Sequence, residues 1–254
     1  MQDKTAEAYE AFYKAPWNAA WQDAGYYALA QLDARKGRWA EALEKVEKSL
    51  VRNWHNHRAR QLKASILRHT GLKEKALRWV EESLDIDPFN MGCRFEKYLL
   101  THNQEDLNQF RETMNGAVHT YIEYALDFTG AGLYAEAEEL LSLAIDENGD
   151  TYPIVYYLLG SVAKCTKSDR KCREMFENAS KLSPEKCFPN RIEEVNILRT
   201  AIDENPSDAM APYYLGNFFY AKRQYDEAVA YWERSATLND NFPTVWRNLA
   251  LAYY

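Results

Sequence analysis

Three histidines are the side chains in this sequence with the clearest potential to bind a metal ion. His55 and His57 are separated by a single residue, and His69 follows further along the chain. Zinc sites usually combine imidazoles or thiolates at short spacings such as C-x2-C or H-x3-H. No such spacing accompanies these histidines, so we interpret them as solvated turn residues and expect no metal site.

The sequence contains none of the common motifs for catalysis or nucleotide binding. There is no G-x-S-x-G, no P-loop, no G-x-G-x-x-G and no H-E-x-x-H. Neighbouring acids such as Glu81, Glu82, Asp85 and Asp87 lie in one helical segment, where a solvated helix face is the ordinary explanation. We therefore expect a protein that is not an enzyme and that has no cofactor.

Four cysteines are too few for a disulfide scaffold in a chain of 254 residues. They are Cys93, Cys165, Cys172 and Cys187, and no two of them form a C-x-x-C pair. We expect all four to be reduced side chains that pack in the protein interior.

The composition predicts a helical chain. Only 10 glycines and 8 prolines occur in 254 residues, which argues against a turn-rich all-β fold or a disordered linker. No apolar stretch approaches about 18 residues, so membrane insertion is not expected. The net charge of −7 argues against nucleic acid as a partner. The first residues show no secretory signal, and the location in the cell stays unknown, with the cytoplasm as the default expectation.

An internal period of 34 residues organises most of the sequence. Residues 23–56 and 57–90 align without a gap, which places Gly37 on Gly71. The same pattern recurs in residues 118–151, 153–186 and 209–242. Self-similarity at a fixed period of this length is typical of helical repeat proteins.

Small side chains recur at three positions of each repeat, counted from its first residue. These are position 8 in the first helix and positions 20 and 27 in the second, where two antiparallel helices approach most closely. The pattern predicts helical hairpins that stack and bury an apolar face against one another. In the five repeats these positions hold Ala30, Ala42 and Ser49; Ala64, Ala76 and Ser83; Ala125, Ala137 and Ala144; Gly160, Cys172 and Ala179; and Gly216, Ala228 and Ser235.

The period, the small residues and the pairs Leu159-Gly160 and Leu215-Gly216 resemble the tetratricopeptide repeat, a 34-residue helical hairpin. The resemblance implies an all-α fold, namely a right-handed superhelical α-solenoid of antiparallel helix hairpins, in one array over residues 1–254. It also implies a non-catalytic scaffold that binds a protein partner.

Four segments depart from the full repeat: residues 1–22 (a half repeat), 91–117 (a shortened irregular hairpin), 187–208 (an extra helix) and 243–254 (a truncated repeat). In the extra helix we expect Asn190 to be the N-cap, with Glu193 completing a capping box. Because both chain ends fall inside repeats, we expect a fragment of a longer protein that self-associates through its terminal helices.

Three shorter segments are similar to the repeat region of large bacterial tetratricopeptide proteins. They are YEAFYKAPWN at 9–18, FPNRIEE at 188–194 and FPTVWRNLALAYY at 242–254. In those proteins an N-terminal β-rich domain of unknown function precedes the repeats, often in carbohydrate-utilisation settings. This resemblance implies an alternative function as an accessory carbohydrate-associated module, in which groove tyrosines stack on sugar.

Tetratricopeptide arrays bind extended peptides mainly through positions 2, 5, 9 and 12 of the first helices. None of the 24 residues at these positions is Asp or Glu, although about three to four acids would be expected from the composition. We therefore expect a positive, tyrosine-rich concave groove that binds an acidic peptide segment. Its predicted residues are Tyr27, Arg58, Arg68, Tyr157, Lys164, Tyr213, Asn217, Tyr220, Arg247 and Asn248.

Asn217 and Asn248 match the two asparagines of the family's carboxylate clamp. The lysine of that clamp is replaced by Tyr213. Three roles therefore stay open for the pair: it binds a terminal carboxylate, it holds an extended peptide backbone, or it has no ligand role.

Unusual charges at the junction of the first two repeats predict an ion pair. Asp33 stands where the family usually has an aromatic residue, and Arg60 and Lys63 stand where it has Trp and Leu. Because these positions meet when adjacent first helices stack, we expect Asp33 to pair with Arg60 or Lys63.

Overall fold

The fold is helical throughout the part of the chain that the structure describes. The computed structural model describes residues 4–254, which form fifteen α-helices and no β-strand. The predicted all-α fold of helix hairpins is confirmed. The helices belong to two compact units, which comprise the described residues 4–140 and 141–254.

The first unit consists of successive helix hairpins. Helix α1 is followed by two short 3₁₀ turns, Ala15–Trp17 and Ala19–Trp21, where Pro16 interrupts the regular helix. Asparagines fix three of the later helix starts, because their side chains accept backbone N–H groups of the first turn. The helices of this unit are α1 (Thr5–Lys14), α2 (Gln22–Arg35), α3 (Trp39–Arg52), α4 (His57–His69), α5 (Lys73–Ile86), α6 (Met91–Thr101), α7 (Gln104–Met114), α8 (Val118–Gly130) and most of α9 (Tyr134–Ser142).

The second unit contains two long hairpins and two further helices. Its helices after α9 are α10 (Ile154–Cys165), α11 (Asp169–Lys181), α12 (Ile192–Glu204), α13 (Met210–Ala221), α14 (Tyr225–Leu238) and α15 (Pro243–Tyr253). Helices α10 and α11 form one hairpin, and α13 and α14 form the other.

The small residues of the repeat lie where the helices of a hairpin touch. A Cβ atom placed on Gly160 would come 2.5 Å from the ring of Phe176, and one on Gly216 would come 2.3 Å from the ring of Trp232. Ala30 and Ala42 at the matching positions of the first hairpin are fully buried. Close packing at these positions leaves no room for a larger side chain.

The second helix of repeat 118–151 ends earlier than the repeat pattern predicts. Helix α9 stops at Ser142, so Ala144 lies in a turn instead of at the helix contact. The carboxylate of Asp146 accepts the backbone N–H groups of Asn148 and Asp150, both at 2.8 Å. The hydroxyl of Thr151 donates to the carbonyl of Ala144. Asp and Asn side chains that bond nearby backbone in this way compete with helix continuation.

The start of helix α12 differs from the prediction by one residue. The carboxylate of Glu194, not Glu193, accepts the backbone N–H groups of Asn190 and Arg191, at 2.7 and 2.9 Å. The predicted capping box of Asn190 and Glu193 is therefore wrong, and Arg191 occupies the N-cap position.

The predicted partner of Asp33 is also wrong. Asp33 is fully buried and pairs with Arg38, which follows it in the turn of the same hairpin. Lys63 instead pairs with Glu47 at 3.0 Å. The guanidinium of Arg60 is buried between the rings of Trp54 and Trp79, 4.7 and 4.1 Å from their centroids.

The cysteines are unpaired thiols, and three of the four are buried. Cys165 is exposed at the end of α10, so the expectation that all four pack in the interior is wrong for this residue. Burial raises the pKa of Cys93 and of Cys187 to about 12, which keeps both thiols protonated. Over residues 4–254, no helix is both long and apolar enough to cross a membrane.

Candidate functional site

Arg58 on α4, a predicted groove cation, pairs with two carboxylates of α8 in the first unit. Its Nη2 lies 3.3 Å from Oε2 of Glu123, and its Nε lies 3.2 Å from Oδ2 of Asp127. The Asp127 side chain is 10% exposed and that of Arg58 is 54% exposed. The charge of Arg58 is therefore balanced by acids of its own unit, and its predicted contact with a peptide stays a prediction.

Helix α2 touches α8 directly, so residues predicted to line the groove take part in a contact between helices of the first unit. The Gln31 amide donates to the carbonyl of Asp127 at 3.4 Å and to the hydroxyl of Tyr27 at 3.0 Å. A Cβ atom on Gly132 would lie 2.9 Å from Cα of Arg35. Burial and the charge of Asp127 raise the pKa of Tyr27 well above its ordinary value. Tyr27 therefore takes part in a helix–helix contact.

Arg68 lies at the centre of a second internal charge cluster in the first unit. Its Nε is 2.8 Å from Oε2 of the buried Glu96, and its Nη2 is 2.9 Å from Oε1 of Glu136. His69 Nε2 lies 2.6 Å from the same oxygen of Glu136. The hydroxyl of Ser65 donates to Glu96 at 2.6 Å. Arg68 thus joins α4 to α6 and α9, and its predicted contact with a peptide stays a prediction.

The two carboxylates change the ionisation of this cluster. Burial lowers the pKa of Arg68, but the charge and hydrogen bonds of Glu96 and then Glu136 outweigh it and raise the pKa overall. Burial also raises the pKa of Glu136, yet the hydrogen bond with His69 and the charge of Arg68 lower it to about 2. Arg68 and Glu136 are therefore both ionised at neutral pH.

Two predicted site residues of the second unit also have internal partners. Tyr157 is fully buried, and its hydroxyl donates to Oδ2 of Asp208 at 2.7 Å. Burial, followed by the charge of Asp208, raises the pKa of Tyr157 well above its ordinary value. Lys164 pairs with Glu204 at 2.6 Å. Tyr157 therefore has a structural role, and the charge of Lys164 is balanced.

The remaining five predicted residues come together on α13 and α15. Oδ1 of Asn217 accepts from Nδ2 of Asn248 at 3.3 Å, which links the two helices. Arg247 is exposed and donates to Oδ1 of Asn248 at 3.2 Å. Tyr220 is 42% exposed, whereas Tyr213 is buried. Neither helix contains an acidic residue.

Packing holds these side chains in place. Nε1 of Trp232 on α14 donates to Oδ1 of Asn217 at 3.1 Å, so two donors fix the orientation of that amide. The ring of Tyr220 packs on Trp232, with centroids 5.2 Å apart. The ring of Tyr213 packs on Phe242, with centroids 4.8 Å apart. We call Asn217, Tyr220, Arg247 and Asn248 the α13–α15 face.

The histidines have structural neighbours. His69 stacks on Trp39 with ring centroids 4.9 Å apart, and His57 Nδ1 lies 3.5 Å from Asp87. Within residues 4–254, no group of three or more His, Cys, Asp or Glu side chains is arranged to hold a metal ion.

Comparison with known families matches two segments of the chain. The family model described as tetratricopeptide repeat matches residues 27–90 and 195–245. The first segment includes the paired helices α3, α4 and α5, and the second includes the α13–α14 hairpin. These segments match the tetratricopeptide repeat family. The coarser part of the sequence-based resemblance is therefore confirmed.

Several solved structures are similar to this chain at low identity. A tetratricopeptide repeat protein from Parabacteroides merdae ATCC 43184 is 16% identical over 98% of this chain and 91% of its own, with a TM-score of 0.37. A thermophilic one from Thermus thermophilus is 15% identical over 91% and 98%, with a TM-score of 0.29. MamA from Desulfovibrio magneticus RS-1 is 14% identical over 86% and 96%, with a TM-score of 0.29.

The acids that face Arg58 and Arg68 were missed by the sequence analysis. In the predicted repeat at 118–151, Glu123 and Asp127 each lie one residue after a position that was predicted to line the concave groove. Glu96 lies in the irregular hairpin, which was left out of the count. Glu123 and Asp127 are four residues apart and therefore lie on the same face of α8. A count that included them would have shown acids beside the predicted cations.

Proposed function

We propose that this chain is a non-catalytic scaffold that binds an extended segment of a partner protein across the α13–α15 face. Tetratricopeptide repeat proteins generally mediate protein–protein interactions, and the family is generally non-catalytic. The finer proposal, that the bound segment is acidic, rests on one observation. Arg247 has no carboxylate within ion-pairing distance among residues 4–254, and the α13–α15 face to which it belongs is built on two helices that contain no acid.

The amide pair supports binding of a peptide backbone. Asn217 and Asn248 both carry a donor and an acceptor, which match the carbonyl and N–H groups of an extended chain. The Nδ2 group of Asn217 is buried and has no hydrogen-bond partner among the described residues, so a peptide carbonyl that reached it would satisfy an unpaired donor. Because Trp232 and Asn248 hold its oxygen, the amide is already oriented before a ligand arrives. Preorganisation of this kind reduces the entropy lost on binding.

Charge and aromatic surface supply the remaining contributions. Arg247 attracts a carboxylate and steers its approach, an effect that salt weakens. The exposed part of the Tyr220 ring offers flat apolar contact beside the amides. The proposal leaves out Tyr27, Arg58, Arg68, Tyr157 and Lys164, because these side chains bond within their own units.

Binding of labelled acidic peptides, measured by fluorescence anisotropy, tests the proposal. We expect Arg247→Gln to lower the affinity for an Asp/Glu-rich peptide up to about fivefold, which is the contribution of one exposed ion pair. Arg234→Gln on α14 is the matched control, because Arg234 is also exposed but lies on another helix. Asn248→Ala should lower the affinity for the acidic peptide and for its Gln-substituted form by the same factor. Equal affinity of the Arg247→Gln and Arg234→Gln proteins would overturn the acidic preference.

The two alternative functions, a carbohydrate-associated module and a self-assembly module, stay predictions. Binding and mass measurements on the same protein distinguish them. A carbohydrate-associated module would bind a neutral oligosaccharide and lose it with Tyr220→Ala. A self-assembly module would show a mass that rises with protein concentration and would bind no peptide. The narrower resemblance to large bacterial proteins with a β-rich domain stays a prediction as well.

A further inference from the structure

The turn between α10 and α11 concentrates positive charge in an acidic protein. Residues 164–173 contain five cations and one acid, a net charge of +4 in a chain whose overall net charge is −7. Within this segment Lys164, Lys167, Arg170 and Arg173 are exposed. A dense cationic segment on an otherwise acidic chain creates a strong local potential.

Backbone geometry at this turn places a lysine where three hairpins of the first unit have glycine. Gly37, Gly71 and Gly132 occupy the left-handed position of the hairpin turns in the first unit, with φ of 71°, 76° and 77°. Lys167 occupies the matching position with φ of 58°. A side chain with a Cβ atom is disfavoured in this conformation, and such strain is concentrated at functional positions. Lys167 is therefore held at the tip of the turn at a cost in stability.

Most of the cations at this turn have no carboxylate to balance them. Lys164 pairs with Glu204, but neither Lys167 nor Arg170 has an acid within ion-pairing distance among residues 4–254. Nε of Arg173 donates only weakly, at 3.4 Å, to the backbone carbonyl of Asp169. Lys167, Arg170 and Arg173 follow one another at steps of three, which places the two arginines on one edge of α11.

We propose that Lys167, Arg170 and Arg173, which we call the α11 cationic turn, form a second interaction surface that binds an acidic segment of a partner protein. Charge complementarity identifies the partner chemistry. A short run of Asp or Glu contacts the turn alone, whereas a nucleic acid or an anionic membrane would also meet the acidic remainder of the chain and be repelled. The residues of this surface differ from those of the α13–α15 face.

Titration of the protein into fluorescein-labelled decaglutamate, followed by anisotropy at low salt, tests this proposal. We expect Lys167→Gly to weaken binding up to about fivefold, and the double variant Lys167→Gly/Arg170→Gln to weaken it further. Lys167→Gly should also raise Tm by about 2 °C, because glycine relieves the strained backbone. Loss of affinity together with a gain in stability separates a binding role from general damage to the fold.

Arg223→Gly is the matched control. Arg223 has the same left-handed conformation, with φ of 59°, in the turn between α13 and α14. We expect it to raise Tm in the same way and to leave decaglutamate binding at the level of the parent. No binding of decaglutamate, or equal binding by all variants, would overturn the proposal.

Two further measurements distinguish other sources of binding. Loss of decaglutamate binding only with Arg247→Gln would assign the interaction to the α13–α15 face and overturn the proposal for the α11 cationic turn. Loss only with the Lys167 and Arg170 variants would support the turn while leaving the proposed function without an acidic ligand. Tighter binding of duplex DNA or phosphatidylserine vesicles than of decaglutamate, through the same residues, would overturn the choice of a protein partner.

Discussion

The guanidinium of Arg58 on α4 lies 3.2 Å from the carboxylate of Asp127 on α8. This pair lies beside the contact of the Gln31 side chain with the backbone carbonyl of Asp127. Repeat proteins are usually described by contacts between adjacent repeats. Here a contact connects α4 with α8, two helices that are far apart in sequence. It engages Arg58, a cation that was predicted to bind a peptide.

A double-mutant cycle on Arg58 and Asp127 measures this contact. We expect a coupling free energy of about 1 kcal/mol between Arg58→Gln and Asp127→Asn, because Asp127 is nearly buried but Arg58 is half exposed. Urea denaturation followed by tryptophan fluorescence gives the free energies of unfolding. Arg52→Gln is the control, since Arg52 is exposed at the end of α3, and it should change stability by less than about 0.5 kcal/mol. Additive single-variant effects would refute the pair.

The hairpins were predictable from the sequence because their helix contacts are local. Gly160 and Gly216 each meet an aromatic ring of the next helix, and the period of the repeat places both partners. The early end of α9 was less predictable, since it depends on how the Asp146 side chain bonds its own backbone. A repeat register describes which residues face one another, but not which local bond ends a helix.

Ion pairs were the hardest features to predict. The register placed Asp33 at the junction of two first helices, and the nearer Arg38 in the same turn is its actual partner. Long cationic side chains reach several acids, so spacing alone does not choose between them. The same limit applies to the groove, where acids one residue away from the counted positions balance Arg58.

Stability should depend on pH through Glu136. The pKa of its carboxyl is lowered from 4.5 to about 2, so ionisation of Glu136 stabilises the fold above pH 4.5 and this contribution is lost as the pH falls towards 2. We expect Glu136→Gln to cost about 3 kcal/mol at pH 7, since one pKa unit corresponds to about 1.4 kcal/mol. The difference between the two proteins should shrink between about pH 5 and pH 2.

Urea denaturation of both proteins at a series of pH values measures this difference. Glu139→Gln is the control, because Glu139 is an exposed residue of the same helix. A difference between parent and Glu136→Gln that stays constant from pH 7 to pH 2 would contradict the assignment of the low pKa to this carboxyl.

Two helical glycines should respond differently to alanine. At Gly216 the new Cβ would meet the ring of Trp232 at 2.3 Å, whereas at Gly130 it would meet the flexible amide end of Gln31 at 2.9 Å. We expect Gly216→Ala to cost about 1–3 kcal/mol through overpacking. Gly130→Ala should be close to neutral, because Gln31 can move and alanine favours the helix. Thermal unfolding followed by circular dichroism tests both, and equal Tm changes would contradict the packing explanation.

Two substitutions of Arg60 test whether its buried charge or its planar shape contributes more to stability. Its guanidinium lies between Trp54 and Trp79, and its Nε donates to the hydroxyl of Ser83 at 2.9 Å. Arg60→Lys keeps the charge but loses the planar group that stacks on both rings, and it leaves a strongly hydrated ammonium in a buried position. Arg60→Met removes the charge and keeps most of the volume.

We therefore expect Arg60→Lys to destabilise the first unit by about 3 kcal/mol and Arg60→Met to destabilise it by less. The guanidinium of Arg60 directs separate donors to Ser83, to the carbonyl of Trp54 and to Glu82. A lysine ammonium cannot match all three and its desolvation is less well compensated, whereas a thioether packs against the indole rings without that cost. Urea denaturation of the three proteins, followed by tryptophan fluorescence because Trp54 and Trp79 flank the site, gives the order directly. If lysine is tolerated better than methionine, the positive charge over the indole rings stabilises the protein more than the planar stacking does.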